Sequence, residues 1–500
     1  MKRAFLYKRR IRITRDVIIP GELLNYSTLS FPICEDIMDR LEKANPDMKI
    51  DSDLSKEINI ARYRRKALAE IKSKEDTKGD ARLYPYQRVG VEWLLAIKRG
   101  ILADEQGLGK TVESLCACAA LPKDARIGII CNKSSISVWE DHIKEFCMGR
   151  EVQVVNYDRI DDLQGDLDAL IVDEAHKMRN RKTRVFSQVK SRAKRSQYLF
   201  LLTATPTVNF DQDIWTLLHL CDPSRFSSYW DYIFRFFNVT TSGFGMKIGE
   251  VKESERDNLL KIISEYVLSR DESLLDLPDI KKASIRHILS ASHREIYRQM
   301  EEEWIASLDD KSISADVVVA QITRLRQLAI SPALIFPSYE GNDKIDTLIS
   351  LIEKTQENIV VFTVFKPAVE FIHERLAKKG ILSRMFTGSV SGKDREEIIR
   401  DFGKGFRVMI ITLGTGGESL NLVQATRAMF LDLPWHEAGC RHAMKRIHRI
   451  GQDEDVEVTV IKSVDTIEDH IHDIIRRKGK MSVNELISQV KRRRREQHIV

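Results

Sequence analysis

No run of about 18 consecutive apolar residues occurs in this 500-residue chain, so a membrane-spanning helix is not expected. The first segment, MKRAFLYKRR, lacks the apolar core that a secretory signal needs. An intracellular protein is expected, cytoplasmic rather than nuclear and without a membrane partner. Cysteine is sparse and odd in number: seven residues, Cys34, Cys116, Cys118, Cys131, Cys147, Cys221 and Cys440, scattered through apolar segments. That argues for reduced core thiols over a disulfide framework. Cys116 and Cys118 form the single close pair and have no second pair of ligands nearby, so a zinc site is not expected. Net charge is also low, at +6. With 43% hydrophobic and 31% charged residues, the chain reads as soluble and globular, with two to four domains.

The modest charge is unevenly spread. Lys2, Arg3, Lys8, Arg9, Arg10, Arg12 and Arg15 crowd the first segment, and Lys491 to Arg495 form a basic tail. Runs of this kind are commonly solvated surface; around a nucleotide-driven core, contact with a phosphate backbone becomes the better reading.

Such a core is signalled by Ile101–Thr111, ILADEQGLGKT. An apolar segment ends, a turn containing Gly107 and Gly109 follows, and Lys110-Thr111 opens a segment with helical apolar spacing. Glycines let the backbone approach an anion, amide groups at a helix start point at it, and the lysine adds a full charge. Asp104, Glu105, Gln106, Gly107, Leu108, Gly109, Lys110 and Thr111 are therefore expected to cradle ATP, with Thr111 a ligand of Mg2+. Asp104 stands where the strict pattern G-x-x-x-x-G-K-[ST] has its first glycine. Upstream, Gln87 precedes an amphipathic helix expected to end near Gly100, and its amide suits the edge of adenine.

Downstream, the buried strand Ile127–Cys131 delivers Lys133, Ser134 and Ser135 to its end. In an open parallel sheet that edge binds ligands. A continuous apolar strand, Leu167–Val172, then presents Asp173 and Glu174. Asp173 is expected to hold Mg2+, and Glu174 to orient and polarise the attacking water. A third strand, Tyr198–Leu202, runs into TATPTVN, whose Thr203 and Thr205 hydroxyls can relay the nucleotide state. Residues 208 to about 342 read as mostly helical, with few strand signals. From about Lys344 to Ile475 strands and helices alternate again, without a second phosphate loop. Thr387, Gly388 and Ser389, and Thr412 through Gly417 including Gly416, fall at strand ends where a DNA phosphate can approach. In CRHAMKRIHRIGQ, Arg446 and Arg449 are three apart and are expected on one helical face, able to stabilise transition-state charge.

The set Gln87, DEQGLGKT, DEAHKMRN and LTATPTVN resembles superfamily-two helicase-like ATPases, and specifically Swi/Snf-type DNA translocases. YPYQRVGVEWL, KSSISVWEDHIKEF, HKMRNRKT, LRQLAISPAL and RIHRIGQ carry the closer resemblance, over roughly Leu83 to His472. Two features depart from it. Asp271 and Glu272 stand where neutral or basic residues are usual, and His442 stands where glutamine is usual. The resemblance implies an α/β fold of two RecA-like parallel-sheet lobes with helical protrusions, plus a small N-terminal α+β module. The expected domains are 1–78, an accessory module possibly for DNA recognition; 79–222, the ATP-binding lobe; 223–342, a helical protrusion and linker; 343–475, the second lobe; and 476–500, a basic helical tail.

The expected function is a DNA-dependent ATPase that moves along duplex DNA as a monomer and remodels branched DNA such as forks and recombination junctions. Lys110, Asp173, Glu174, Arg446 and Arg449 would be catalytic, while Lys133, Ser134, Thr387, Gly388, Thr412 and Gly416 would meet DNA. One alternative is a DNA-tracking motor that displaces a polymerase or nucleosome. Another, of a different class, is a nucleotide-gated DNA-binding protein that does not turn over. Because the catalytic set lies beyond residue 78, deletion of residues 1–78 is expected to spare hydrolysis.

Overall fold

The strand Ala169–Asp173, sequence ALIVD, shows how the first sheet is made. Its side chains alternate: Leu170 and Val172 enter one buried cluster, while Ala169 and Ile171 enter another on the opposite face. The strand Ile127–Cys131 divides in the same way, with Ile130 on one side and Ile127, Ile129 and Cys131 on the other. A strand covered on both faces needs apolar residues at every position, which is why these segments read as unbroken apolar runs.

The computed structural model describes residues 3–471 except 8–9, 14–16, 18–29, 33–34, 148, 205–210, 243–244, 308–314, 342, 391, 414–419, 435–436 and 470. The chain divides into two units, residues 1–274 and 275–500. In the first, six strands form a sheet in the order Val267–Leu268, Arg99–Leu102, Tyr198–Leu202, Ala169–Asp173, Ile127–Cys131, Val152–Asn156. Every neighbouring pair is parallel. All carboxyl ends therefore lie along one edge. The helix before the first long strand runs Pro85–Ile97 and stops short of Gly100, since Lys98 turns the backbone to φ 62° and the strand starts at Arg99.

The N-terminal module is α+β with its own core. Arg10–Ile13 lies between Ser30–Pro32 and Arg3–Tyr7, antiparallel to both, and Lys49–Ile50 adds a parallel edge. Ala4, Ile11 and Ile13 pack there against Ile37, Met38 and Leu41 of the helix Glu35–Ala44 and Leu54 and Ile58 of the helix Ser52–Lys72.

In the second unit the order is Ile280–His287, Val456–Ser463, Arg427–Phe430, Ile359–Thr363, Val408–Thr412, Ser383–Phe386, again all parallel. Val360 and Phe362 face one core, and Ile359 and Val361 the other. Two α/β lobes with parallel sheets are thus present, as expected.

The stretch expected to be mostly helical carries more strand than its pattern suggested. Phe237–Ser242 and Gly245–Val251 form an antiparallel hairpin, Val267–Leu268 extends the first sheet, and Ile280–His287 extends the second. In the hairpin, Val239, Thr240 and Thr241 favour the pleated conformation. The helices Tyr229–Phe236, Arg256–Tyr266, Ala291–Ser307 and Ala315–Ile330 fill much of the remainder.

Among the described residues no helix is long and apolar enough to cross a membrane. Among the described residues six cysteines are free; of these Cys118, Cys131, Cys147 and Cys221 are buried, and burial pushes the Cys131 thiol up to about 12. The tail 476–500, Lys2, Lys8, Arg9, Arg15 and Thr205 lie outside the described residues.

Candidate active site

The first sheet's carboxyl edge gathers the sequence signals of the first unit. The phosphate loop follows Arg99–Leu102, Lys133 and Ser134 follow Ile127–Cys131, Asp173 ends Ala169–Asp173, and Thr203 follows Tyr198–Leu202.

In the loop, Gly107 and Gly109 have φ of 93° and 85°, a left-handed backbone that favours glycine. Gly109 caps the helix Lys110–Ala119, and a Cβ there would collide with the Gln87 amide nitrogen. Lys110 is folded back on its own loop, Nζ donating to the carbonyls of Asp104 at 2.6 Å and Glu105 at 3.1 Å. Gln87 sits inside the first turn of its helix rather than before it. Its Oε1 accepts from the Tyr84 N–H at 3.0 Å and its Nε2 donates to the Leu108 carbonyl at 3.0 Å. Both ends of the amide thus brace the loop.

Asp104, the departure from the strict glycine pattern, is fully buried. Both of its oxygens lie 3.0 Å from Nε of Arg270, which also reaches Oε2 of buried Glu113 at 2.6 Å. Burial raises both carboxyls from their ordinary values, Glu113 strongly so, and Arg270 opposes the rise. Breaking such a buried pair from one side costs about 3–5 kcal/mol.

At the acidic pair, Asp173 accepts from the Trp139 indole N–H at 3.1 Å through Oδ2 and from the Glu174 N–H at 3.0 Å through Oδ1. Burial first, then the Glu174 charge, pushes its carboxyl up to about 6, while Lys110 is near enough to oppose this. A cation entering here would relieve both effects. Glu174 adopts φ 54°, and its Oε2 lies 3.1 Å from His176 Nδ1, which is in turn 3.4 Å from the Thr203 hydroxyl. Strained backbone of this kind persists where surrounding contacts enforce it, commonly at functional sites. Trp139 and Arg270 were not singled out in the sequence. Trp139 follows Ile136 and precedes Ile143 at helical spacing, which marks a buried face but not its acceptor; Arg270, among acids in SRDES, carries no signal at all.

Asp271 bonds within its own turn, whereas Glu272 reaches the phosphate loop. Asp271 Oδ1 accepts from the Ser273 N–H at 3.0 Å, and the Glu272 N–H donates to Glu105 Oε2 at 3.1 Å.

In the second unit, Arg446 and Arg449 do not share a helical face. The helix Glu437–Met444 ends before them, and the chain continues in tight turns, with the Arg446 N–H on the Ala443 carbonyl and the Ile447 N–H on that of Met444, toward Gly451 at φ 93°. Arg446 is 5% exposed. Burial lowers the Arg449 guanidinium from its ordinary value, and its Nε has no hydrogen-bond partner among the described residues. A half-buried cation of this kind fits an arriving anion. Of the residues expected to meet DNA, Lys133 and Gly388 are exposed and Ser134 half-buried, whereas Thr387 and Thr412 are buried. Gly416 lies outside the described residues.

The SNF2-related domain family matches residues 86–165 and 156–334, and the helicase conserved C-terminal domain family matches residues 343–451. The chain belongs to the SNF2-related helicase family. An uncharacterized ATP-dependent helicase of Mycoplasma pneumoniae is 26% identical over 450 residues, covering 81% of this chain and 42% of its own length. A SWI/SNF-related matrix-associated actin-dependent regulator of chromatin subfamily A-like protein 1 from Xenopus tropicalis is 24% identical over 440 residues, covering 82% and 45%. The SWI2/SNF2 ATPase core of Sulfolobus solfataricus, solved in complex with double-stranded DNA, aligns at 22% identity over 83% of this chain and 97% of that chain, with a TM-score of 0.38. This SNF2-related chain spans less than half the length of the two curated relatives.

Proposed function

We propose that this SNF2-related chain is an ATP-driven motor that moves along duplex DNA as a monomer and remodels branched DNA such as forks and recombination junctions. The observation that carries the ATPase reading is the gathering of Lys110, Asp173 and Glu174 on one sheet edge, beside a loop whose glycines hold left-handed backbone. In this reading the amide groups of the loop from Asp104 to Thr111 cradle the phosphates, and Lys110 exchanges the carbonyls of Asp104 and Glu105 for phosphate oxygens. Asp173 and Thr111 would hold Mg2+, which when bound neutralises charge on the phosphates. Glu174, held by His176, orients the attacking water and polarises it. Arg446 and Arg449 supply positive charge to the transition state. Gln87, already hydrogen-bonded at both amide ends, would have to release a bond to meet adenine.

DNA contact is assigned to Lys133, Ser134, Gly388 and Gly416 and to the backbone at Thr387 and Thr412, whose side chains are buried. The preference for branched DNA draws support from the basic N-terminal segment and basic tail, which add phosphate-binding sites to the motor. The Xenopus relative, named a regulator of chromatin, favours displacement of a DNA-bound protein as a second reading.

ATP hydrolysis measured with duplex, single-stranded, forked and four-way DNA at matched salt tests the proposal. Duplex should stimulate turnover and branched DNA should stimulate it further. Preference for duplex alone would favour the second reading. Binding of ATP and DNA without turnover would identify a nucleotide-gated binding protein. Glu174→Gln should retain ATP binding while hydrolysing about a hundredfold or more slowly, because only the water-polarising group is removed. Hydrolysis near the parent rate would remove that role from Glu174.

A further inference from the structure

Arg270 has no part in the chemistry just proposed, yet it lies beneath the phosphate loop. The chain leaving the edge strand Val267–Leu268 runs alongside the start of that loop and is bonded to it repeatedly. The Ala103 N–H donates to the Leu268 carbonyl at 2.7 Å, the Ser269 hydroxyl to the Ala103 carbonyl at 3.0 Å, and the Glu105 N–H to the Arg270 carbonyl at 3.0 Å. The Glu272 N–H closes the set on Glu105 Oε2. From this clasp the Arg270 guanidinium turns inward to Asp104 at the loop's start, to Glu113 in the helix after it, and to the Tyr86 carbonyl in the helix before it. It also lies 5.1 Å from the centre of the Tyr86 ring, whose hydroxyl donates to the Leu108 carbonyl at 2.9 Å.

The surrounding sequence makes room for this cation. Gly90 stands in the middle of the helix Pro85–Ile97, where glycine costs about 1 kcal/mol relative to alanine. A Cβ there would collide with the Glu113 carboxylate and lie 2.9 Å from an Arg270 terminal nitrogen.

We infer that Arg270 is a positioning residue for the phosphate loop and that it ties nucleotide occupancy of the loop to residues 268–274, through which the first unit continues into the second. Two physical steps carry this. A bare Asp104 carboxylate under a phosphate site would repel the phosphates, and Arg270 neutralises it. Glu105 then provides the link: its carbonyl accepts from Lys110, its N–H donates to the Arg270 carbonyl, and its carboxylate accepts from the Glu272 N–H. When phosphate draws Lys110 away, Glu105 loses a bond on one side while held on the other, so the change passes into 268–272. The inference rests on the ATPase reading.

Two measurements on the full chain test it. In the parent, a non-hydrolysable ATP analogue should alter amide hydrogen exchange at 268–274 together with 103–111. Change confined to 103–111 would overturn the link. With a fluorescent ATP analogue, Arg270→Met should bind about tenfold or more weakly, and adding Asp104→Asn should recover most of the loss because the uncompensated charge is gone. Folded Arg270→Met that binds as tightly as the parent, or a double variant with no recovery, would overturn the positioning role. If Arg270→Met does not fold, the exchange measurement on the parent still decides. Failure of the parent to bind the analogue would overturn the ATPase reading and this inference together, whereas parent binding with either negative result overturns this inference alone.

Discussion

Half-buried Arg449 and buried His287 illustrate two consequences of withdrawing a cationic or basic side chain from water in the second unit. Burial lowers Arg449 from its ordinary value and its Nε lacks a partner among the described residues, which an approaching phosphate would supply. Arg449→Ala should therefore lower ATP turnover by roughly a thousandfold while changing ATP and DNA affinity far less, as expected for a group acting on transition-state charge. Steady-state kinetics beside equilibrium binding separates the two; equal losses of DNA affinity and turnover would point to a phosphate-binding turn instead. His287 is 8% exposed, its Nδ1 is 2.9 Å from the Thr347 hydroxyl, and burial first, then the nearby Lys344 and His293, pushes it down to about 4. In the unfolded chain its pKa is about 6.5. A depressed histidine favours the folded state fully above the unfolded value, and that contribution is lost as pH falls from about 6.5 to about 4. The loss is on the order of 2–3 kcal/mol. His287→Gln should flatten the acid side of the second unit's stability profile in denaturant melts between those pH values, and an unchanged slope would show that His287 is not the titrating group.

The central strands of the first sheet are legible for a simple reason. Ile127–Cys131, Ala169–Asp173 and Tyr198–Leu202 must be apolar on both faces, so their position is written in composition alone. Asp173 and Glu174 could be placed at a sheet edge because a polar pair directly after such a run has nowhere else to lie. Edge elements are different. Ile280–His287 is largely exposed and reads IKKASIRH, and it becomes a strand through its parallel register with Val456–Ser463, which no local pattern encodes. Val267–Leu268 is two residues long and exists only beside Ile101 and Leu102. The three-residue spacing of Arg446 and Arg449 suits a helix, but the backbone tightens into turns after Met444 toward Gly451, and that tightening leaves no mark in the spacing. Trp139 and Arg270 were missed on the same ground: each acts through a tertiary partner, Asp173 in one case and Asp104 with Glu113 in the other.

Within the first unit, the N-terminal module is joined to the first sheet by packing as well as by charge, and this changes where the chain can be cut. Leu68 of the helix Ser52–Lys72 belongs to the same core as Trp93, Leu94 and Ile97. Lys72 Nζ donates to the Val267 carbonyl at 2.6 Å and lies 5.3 Å from the centre of the Trp93 ring, while burial, opposed by Glu265, lowers it to about 8. Arg40 adds a forked contact to Glu255, at 2.9 and 3.3 Å. Removing residues 1–78 would uncover the sheet's own helix and leave the Val267 carbonyl without Lys72, so the expectation that this deletion spares hydrolysis does not fit the packing. Deletion of residues 1–50 keeps Ser52–Lys72 on the sheet while removing the basic first segment and the module's strands. If that segment holds a second DNA arm, this shorter deletion should leave duplex-stimulated hydrolysis near the parent rate, weaken four-way-junction binding by roughly tenfold and flatten its salt dependence, because each lost phosphate contact reduces counterion release. Deletion of residues 1–78 should lower the thermal midpoint and hydrolysis together. The measurements are junction binding across a salt series, junction movement, and duplex-stimulated ATPase activity for the parent and both deletions. Equal junction binding and movement by the parent and the 1–50 deletion would remove the N-terminal module from branched-DNA recognition and leave translocation on plain duplex as the better account.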